Sequence, residues 1–303
     1  MKKLLCLLIL GSILCTCRPR SQVVAEPAER VQAEFAGSGT TAKSLKVMSY
    51  NIRLNTPQDG ENAWPRRREF LANQILFHAP LAFGIQEGLP DQVTWLDERL
   101  TEYGFIGQGR RGLQEGEFSA IYYHRTSLQL IESGTFWLSE TPDRVSTGWD
   151  AALPRICTWA RFKHLGNKQE FMMFNTHFDH VGTEARQKSA ALILRKTKAL
   201  NPNQLPVTLT GDLNLTPETV PIQSFATALK DTYDTALIHL GPTGTFSGFH
   251  YNYAERPERR IDYVFVSPDW EVTKYAVLTD AVAGRFASDH FPVIVELLFP
   301  TTH

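Results

Sequence analysis

Short apolar runs alternate with polar words along the chain, and six of those words stand at the edge of a run. Four follow one: Ser49-Tyr50-Asn51 after 45–48, Gln86-Glu87 after 80–85, Asn175-Thr176-His177-Phe178-Asp179 after 171–174, and Gly211-Asp212-Leu213-Asn214 after 205–210. Two precede one: Arg260-Ile261-Asp262 before 263–266, and Ser288-Asp289-His290 before 291–295. Short apolar runs bounded by turn chemistry are read as buried strands. Four strands then carry their polar groups at the C-terminal end and two at the N-terminal end. Antiparallel partners would gather all six words at one edge of the sheets.

Helices are expected between these runs. Trp64-Pro65 opens one, with Pro in its first turn and Phe70, Leu71, Ile75 and Leu76 as its apolar face. Segment 90–100 is a second, with Val93, Leu96 and Leu100 at helical spacing; 184–200 is the clearest, and 221–228 a shorter one. Segments 119–124 and 128–138 read as a hairpin, and 155–164 with 169–175 as a further strand pair. Strands outnumber helices and mostly follow one another, which predicts an α+β or mixed α/β sandwich of two packed sheets. Neither a composition break nor an internal repeat divides the chain after residue 45, so 45–303 is read as one domain.

The N-terminus is of another kind. Lys2-Lys3 precedes the apolar stretch 4–15, twelve residues long, which is too short to span a bilayer and suits the core of a signal peptide. Leu14-Cys15-Thr16 before Cys17 resembles a loose lipoprotein box, with Cys17 as the lipid-anchored first residue; the alternative is an ordinary secretory signal. Residues 1–16 are therefore read as a signal peptide and 17–44 as a tether, with one short helix at 27–35. The expectation is an exported protein, tethered to the membrane or secreted. Beyond the leader and Cys17 only Cys157 remains, which argues against a structural disulfide.

Among 303 residues, 43% are hydrophobic and 21% charged, and the formal charge is −1. Without residues 1–16, 29 bases face 32 acids. A chain held to long nucleic acid by phosphate neutralisation carries a basic surplus, which this one lacks. Small phosphate esters stay open. There is no Gly-rich phosphate loop and no Cys/His set of zinc type.

The six words carry chemistry. Asp212 and Asn214 point the same way from a strand end, so the carboxylate can orient or deprotonate a water while the amide donates to a phosphoryl oxygen. Gly-Asp-x-Asn is also good turn chemistry. His290 faces away from its neighbour Asp289 and needs another acid, for which Asp262 is the candidate. Asn51 and Glu87 supply hard oxygen ligands of the kind that hold Mg²⁺. His177 and Asp179 line the same edge, and Arg155 and Phe246 join Asp179 as candidate substrate contacts. Arg66, Arg67 and Arg68 read as a solvated helix start rather than a phosphate clamp, and Cys157 as a small core residue. Six such words at strand ends are not explained by turns alone.

The order Asn51, Glu87, His177, Asp212-x-Asn214, Asp262, Asp289-His290 resembles the endonuclease/exonuclease/phosphatase superfamily of deoxyribonuclease-like phosphoesterases, over roughly 45–298. Asp59-Gly60-Glu61-Asn62-Ala63-Trp64 and Gly148-Trp149-Asp150 resemble an exported bacterial subgroup. The resemblance implies a four-layer sandwich with the site at one end. It implies Asn51 and Glu87 on Mg²⁺ (or Mn²⁺ in its place) with Asp289 close by, and His290 paired with Asp262. Asp212 would activate the attacking water, and Asn214 with His177 would contact the scissile phosphate. The function expected is a Mg²⁺-dependent phosphoesterase, first a phosphodiesterase and alternatively a phosphomonoesterase on sugar or inositol phosphates. A tethered binding module without turnover is the other class. Substrates would be nucleic acid, a lipid headgroup or a sugar phosphate; no protein partner is implied.

Overall fold

The computed structural model describes residues 44–250 and 259–301. The expected signal peptide, Cys17, the helix at 27–35 and nearly all of the tether lie outside them. Two mixed sheets dominate the described residues. The first contains β1 (Ser44–Asn51), β2 (Ala82–Gln86), β3 (Tyr103–Ile106), β4 (Ile121–His124), β10 (Ile238–Leu240), β12 (Glu271–Val277) and β13 (Val293–Leu298), in the order β10-β12-β13-β1-β2-β4-β3. The second contains β5 (Leu128–Trp137), β6 (Ile156–His164), β7 (Glu170–His177), β8 (Val207–Asp212), β9 (Lys230–Asp231) and β11 (Asp262–Val266), in the order β5-β6-β7-β8-β11-β9.

The sheets pack face to face through Val47, Ala82, Phe162, Met173, Val264 and Val295. Helices α1 (Trp64–His78) and α2 (Pro90–Arg99) cover the outer face of the first sheet, setting Leu71, Ile75, Val93 and Leu96 on Phe83 and Ile85. Helices α3 (Thr183–Leu200) and α4 (Val220–Phe225) cover the second, with Ile193 and Phe225 among Phe174, Leu209 and Phe265. This is the expected four-layer sandwich, each layer hiding the apolar stripe of the next. A last short helix, α5, spans Thr232–Thr235.

The expected hairpin of 119–124 with 128–138 does not form. β4 pairs with β2 and β3, and β5 with β6 in the other sheet. The free edges are claimed elsewhere: His124 N–H donates to the Leu81 carbonyl, and Leu165 N–H to that of Ser127. The segment 125–127 thus passes the chain from one sheet to the other.

Strand direction brings the polar words together. β1 and β2 run parallel, as do β7 and β8, so their C-terminal ends coincide; β13 and β11 run antiparallel to them and begin there. The register sets His177 opposite Asp212 and Asp212 opposite Asp262. A polar node behind this edge fixes the two sheets. Asn175 of β7, fully buried, donates to the carbonyls of Ile85 (2.8 Å) and Ala120 (3.0 Å) and accepts from Gln86 Nε2 (2.7 Å) and Thr210 Oγ1 (2.9 Å). It reaches across because β2 carries Gly84 beneath it: a Cβ there would lie 2.2 Å from Asn175 Oδ1. Replacing Asn175 by Ala removes four buried hydrogen bonds between the sheets, although Ala120, Thr210 and Gln86 each keep another partner. It should cost about 2 to 4 kcal/mol in urea unfolding; a cost below about 0.5 kcal/mol would show that the node does not hold the sheets.

Candidate active site

At the gathered strand ends lies a cavity of about 430 Å³, lined on its floor by Glu87, His177, Asp212, Asn214, Asp289 and His290. Asn51 sits beneath and ties the floor together: its Nδ2 lies 3.0 Å from Glu87 Oε1, 2.9 Å from Asp212 Oδ2 and 3.4 Å from His290 Nε2. Its Oδ1 accepts from Arg53 N–H (3.0 Å). The residue expected as an oxygen ligand therefore enters the cluster as a donor, because crowded carboxylates attract the nearest N–H groups. Glu87 ends its strand at φ 65, and its Oε2 accepts from Leu54 N–H at 3.0 Å.

His290 and Asp262 meet as their strand starts suggest, Nδ1–H donating to Oδ2 at 2.8 Å. Thr245 Oγ1 donates to the same oxygen at 2.6 Å and accepts from the N–H of Ile261 and of Asp262. This fixes the tautomer of His290 and leaves Nε2 for the cavity floor. Burial works against the imidazolium, but the carboxylates of Asp262, Asp212 and Asp289 outweigh it and raise its pKa well above the usual range. Asp212 is pushed up to about 7 by burial and by the charge of Asp262. Asp289 is raised by burial, and Glu87 adds to it.

Asp212 and Asn214 serve as turn and site at once. Asp212 Oδ1 accepts from Asn214 N–H (2.9 Å), which closes the turn with Asn214 at φ 50, and both residues line the cavity. Asn214 Nδ2 donates to His177 Nε2 at 3.1 Å. Burial first, then Arg155, His290, Arg110 and His180, hold the His177 pKa well below normal, so the ring is neutral.

The donor set fits a hard divalent cation. Glu87, Asp212 and His290 present ligand atoms all within 4.8 Å of one another, and Asp289 adds a third carboxylate to the same floor. Excess buried negative charge, visible in the raised carboxyls of Asp212 and Asp289, is what such an ion relieves. The expected trio of Asn51, Glu87 and Asp289 lies at the same floor.

Of the expected substrate contacts, Arg155 and Phe246 line the cavity. Phe246 sets its ring edge-on to His290, 4.9 Å between centroids. Asp179 does not line it. It lies behind the wall, 2% exposed, accepting from the N–H of Ala152, Val181 and Gly182 and holding Arg155 Nε at 3.4 Å. A carboxylate with its oxygens so occupied is a clamp on the wall, not a substrate contact. Sequence reasoning missed Arg53, Arg110, Glu117 and Arg259 in the lining, and Thr245 behind His290. Arg53 follows Asn51-Ile52, Arg259 precedes Arg260-Ile261-Asp262 and Thr245 precedes Phe246, so these three had a neighbourhood as their signal; Arg110 and Glu117 had none.

Arg67 also departs from expectation. Its neighbours Arg66 and Arg68 are not buried, but Arg67 is 4% exposed and spends its guanidinium on backbone carbonyls: Ile52 (2.6 Å), Arg53 (2.7 Å), Asn62 (2.8 Å) and Ala287 (3.0 Å). It thereby binds the segment after Asn51 to the segment before Asp289.

The sequence profile described as the Endonuclease/Exonuclease/phosphatase family matches residues 48–290. No curated protein matches the chain. Among solved structures, an endonuclease/exonuclease/phosphatase family protein from Bacteroides thetaiotaomicron is 40% identical, with a TM-score of 0.82 over 86% of this chain and 99% of that one. A mannosyl-6-phosphatase from the same organism is 41% identical, with a TM-score of 0.81 over 84% of this chain and 100% of that one. The human Nocturnin catalytic domain with bound sulfate, 16% identical, shares the fold at a TM-score of 0.68 over 86% of this chain and 95% of that one.

Arg67→Met keeps an unbranched apolar stem and removes every donor. The variant should lose roughly 2 to 4 kcal/mol of stability through the four lost hydrogen bonds to carbonyls, read as a fall in thermal midpoint. An unchanged midpoint would show that the carbonyl clamp carries no weight.

Proposed function

The chain belongs to the endonuclease/exonuclease/phosphatase family, and from that premise we propose that it is a divalent-metal-dependent phosphoesterase that hydrolyses the phosphomonoester of a sugar. The carrying observation is the anionic floor, with His290–Asp262 at one side, at the base of an open-mouthed cavity whose walls present Arg53, Arg155 and Arg259. Cations around an acidic, imidazole-bearing floor suit a phosphoryl group. The relative at 41% identity acts, by its name, on a mannosyl 6-phosphate. The likeness to that relative reorders the sequence expectation, which puts a diester first.

Glu87, Asp212 and Asp289 would hold the metal with His290 and Asn51 beside them, and a bound Mg²⁺ or Mn²⁺ would supply Lewis acidity and a clamp on phosphoryl charge. Asp212, restrained by Asn51 and the Asn214 amide, orients the attacking water. Asn214 and the neutral His177, hydrogen-bonded to each other in the lining, pack against the phosphoryl group, and His290, locked by Asp262, stabilises the charge that develops. Arg53 and Arg155 hold the remaining oxygens. Export and an anchor on Cys17 are part of the same proposal and rest on the sequence.

Metal-stripped protein should hydrolyse p-nitrophenyl phosphate only after Mg²⁺ or Mn²⁺ is restored, and Asp212→Asn should lower kcat about 10²- to 10⁴-fold. Preference for bis-p-nitrophenyl phosphate would reinstate the diester. Absence of turnover of either ester and of hexose phosphates, under any divalent metal, would favour a phospho-ligand binding module. Separately, Cys17→Ser should move the full-length protein out of the membrane fraction; retention there would end the lipoprotein reading.

A further inference from the structure

The arginines of the cavity wall are not equivalent. Arg53 is forked onto Asp59 (3.0 and 2.9 Å) and Arg155 leans on Asp179 (3.4 Å), and neither of these carboxylates lines the cavity; the nearest lining carboxylate to Arg53 is Asp289 of the floor, a looser 3.9 Å from its Nε. Arg110 differs. Its Nη1 and Nη2 each lie 2.8 Å from a different oxygen of Glu117, and Glu117 lines the cavity beside it. Here the cavity meets a neutral pair, with donors and acceptors at fixed spacing.

The pair is built rigidly. Both residues come from the connection between β3 and β4, and their side chains are 11% and 14% exposed. Arg110 N–H donates to the Glu117 carbonyl (2.9 Å), and the Arg110 carbonyl accepts from Trp137 Nε1 (2.8 Å). Gly109 precedes it because a Cβ there would lie 2.1 Å from the Glu115 carbonyl oxygen. A half-buried ion pair is a poor source of stability, and nothing in the chemistry of Asp212 or His290 uses this one.

A neutralised fork does not attract a phosphate dianion. Its carboxylate oxygens keep lone pairs and its guanidinium edge keeps N–H groups in one plane, a pattern that matches neighbouring hydroxyls. A nucleobase would look instead for a flat ring, and Phe246, the aromatic carbocycle in the lining among the described residues, turns its ring against His290. We propose that Arg110 and Glu117 bind the hydroxyl-bearing half of the substrate, making this wall the element that selects a sugar phosphate over an aryl or nucleoside phosphate. This rests on the phosphomonoesterase reading above.

The test compares kcat/KM for mannose 6-phosphate and p-nitrophenyl phosphate in the metal-loaded wild type, Glu117→Gln and Arg110→Lys. The wild type should prefer the sugar ester. Each variant should lower that preference about tenfold, mostly through KM for the sugar ester. Free mannose should competitively inhibit aryl ester hydrolysis by the wild type and lose that effect in Glu117→Gln. If either variant fails to fold, the other carries the same ratio. Wild-type preference with an unchanged ratio in the variants, or equal loss on both esters, would overturn the assignment of the pair and leave the phosphomonoesterase reading standing. A wild type that hydrolyses the aryl ester without favouring the sugar would overturn the sugar class and this inference together.

Discussion

Everything at the cavity floor depends on how two sheets are held against each other, and that is set by one buried amide. Apolar side chains between sheets supply most of the driving force, but they are tolerant of sliding, since one aliphatic contact resembles the next. Hydrogen bonds are not. Asn175 makes two donations to carbonyls near the first sheet's edge and accepts from Gln86, while Thr210 holds it from its own sheet. Its four polar contacts have no equivalent if the sheets shift by a residue, so register becomes specific. Strand ends from different sheets then meet within hydrogen-bond distance, as Asn51 of β1 and Asp212 of β8 do at 2.9 Å.

That convergence has an electrostatic cost. Glu87, Asp212, Asp262 and Asp289 occupy one largely buried region, and burial together with mutual repulsion raises the carboxyls of Asp212 and Asp289. The chain offsets this with neutral donors and imidazole inside, and with guanidinium groups on the rim. Arg67 shows why the arrangement stays open. Burial lowers its pKa, yet it remains the donor to carbonyls of the segments that carry Asn51 and Asp289. It fixes the geometry of the anionic floor without occupying it.

The sandwich and its polar edge were legible because strand alternation and strand polarity are local properties. The words that carry Asn51, Glu87 and Asp212, and those that carry Asp262 and Asp289, needed nothing beyond the direction of each strand. Partner choice was not legible. Nothing local distinguishes a turn that folds β5 back on β4 from one that crosses to another sheet, and 125–127 does the latter. β12, with Glu271 and Lys274 among its apolar residues, and the short β9 and β10 gave too little pattern to read. Burial of Arg67 between Arg66 and Arg68 is equally invisible, since the three differ only in which carbonyls the fold brings near. The same holds for Asp179: its carboxylate is placed by amides that only the folded loop supplies.

The words 59–64 and 148–150 serve a different purpose from those that carry the chemistry. Asp59 forks Arg53 to the wall, Asn62 offers its carbonyl to Arg67, and Trp64 lies under the Arg67 guanidinium at 5.2 Å. Asp150 accepts from the N–H of Glu184 and Ala185 at the start of α3, and Gly182 packs so closely on it that a Cβ would come within 2.6 Å. That contact ties the segment carrying Arg155 to the turn after His177, where Asp179 completes the grip. The words at the strand ends thus build the anionic floor, while 59–64 and 148–150 hold cations of the wall in place around it. A floor shared by the fold can face many esters; it is the stiffness of the wall that decides which ester fits.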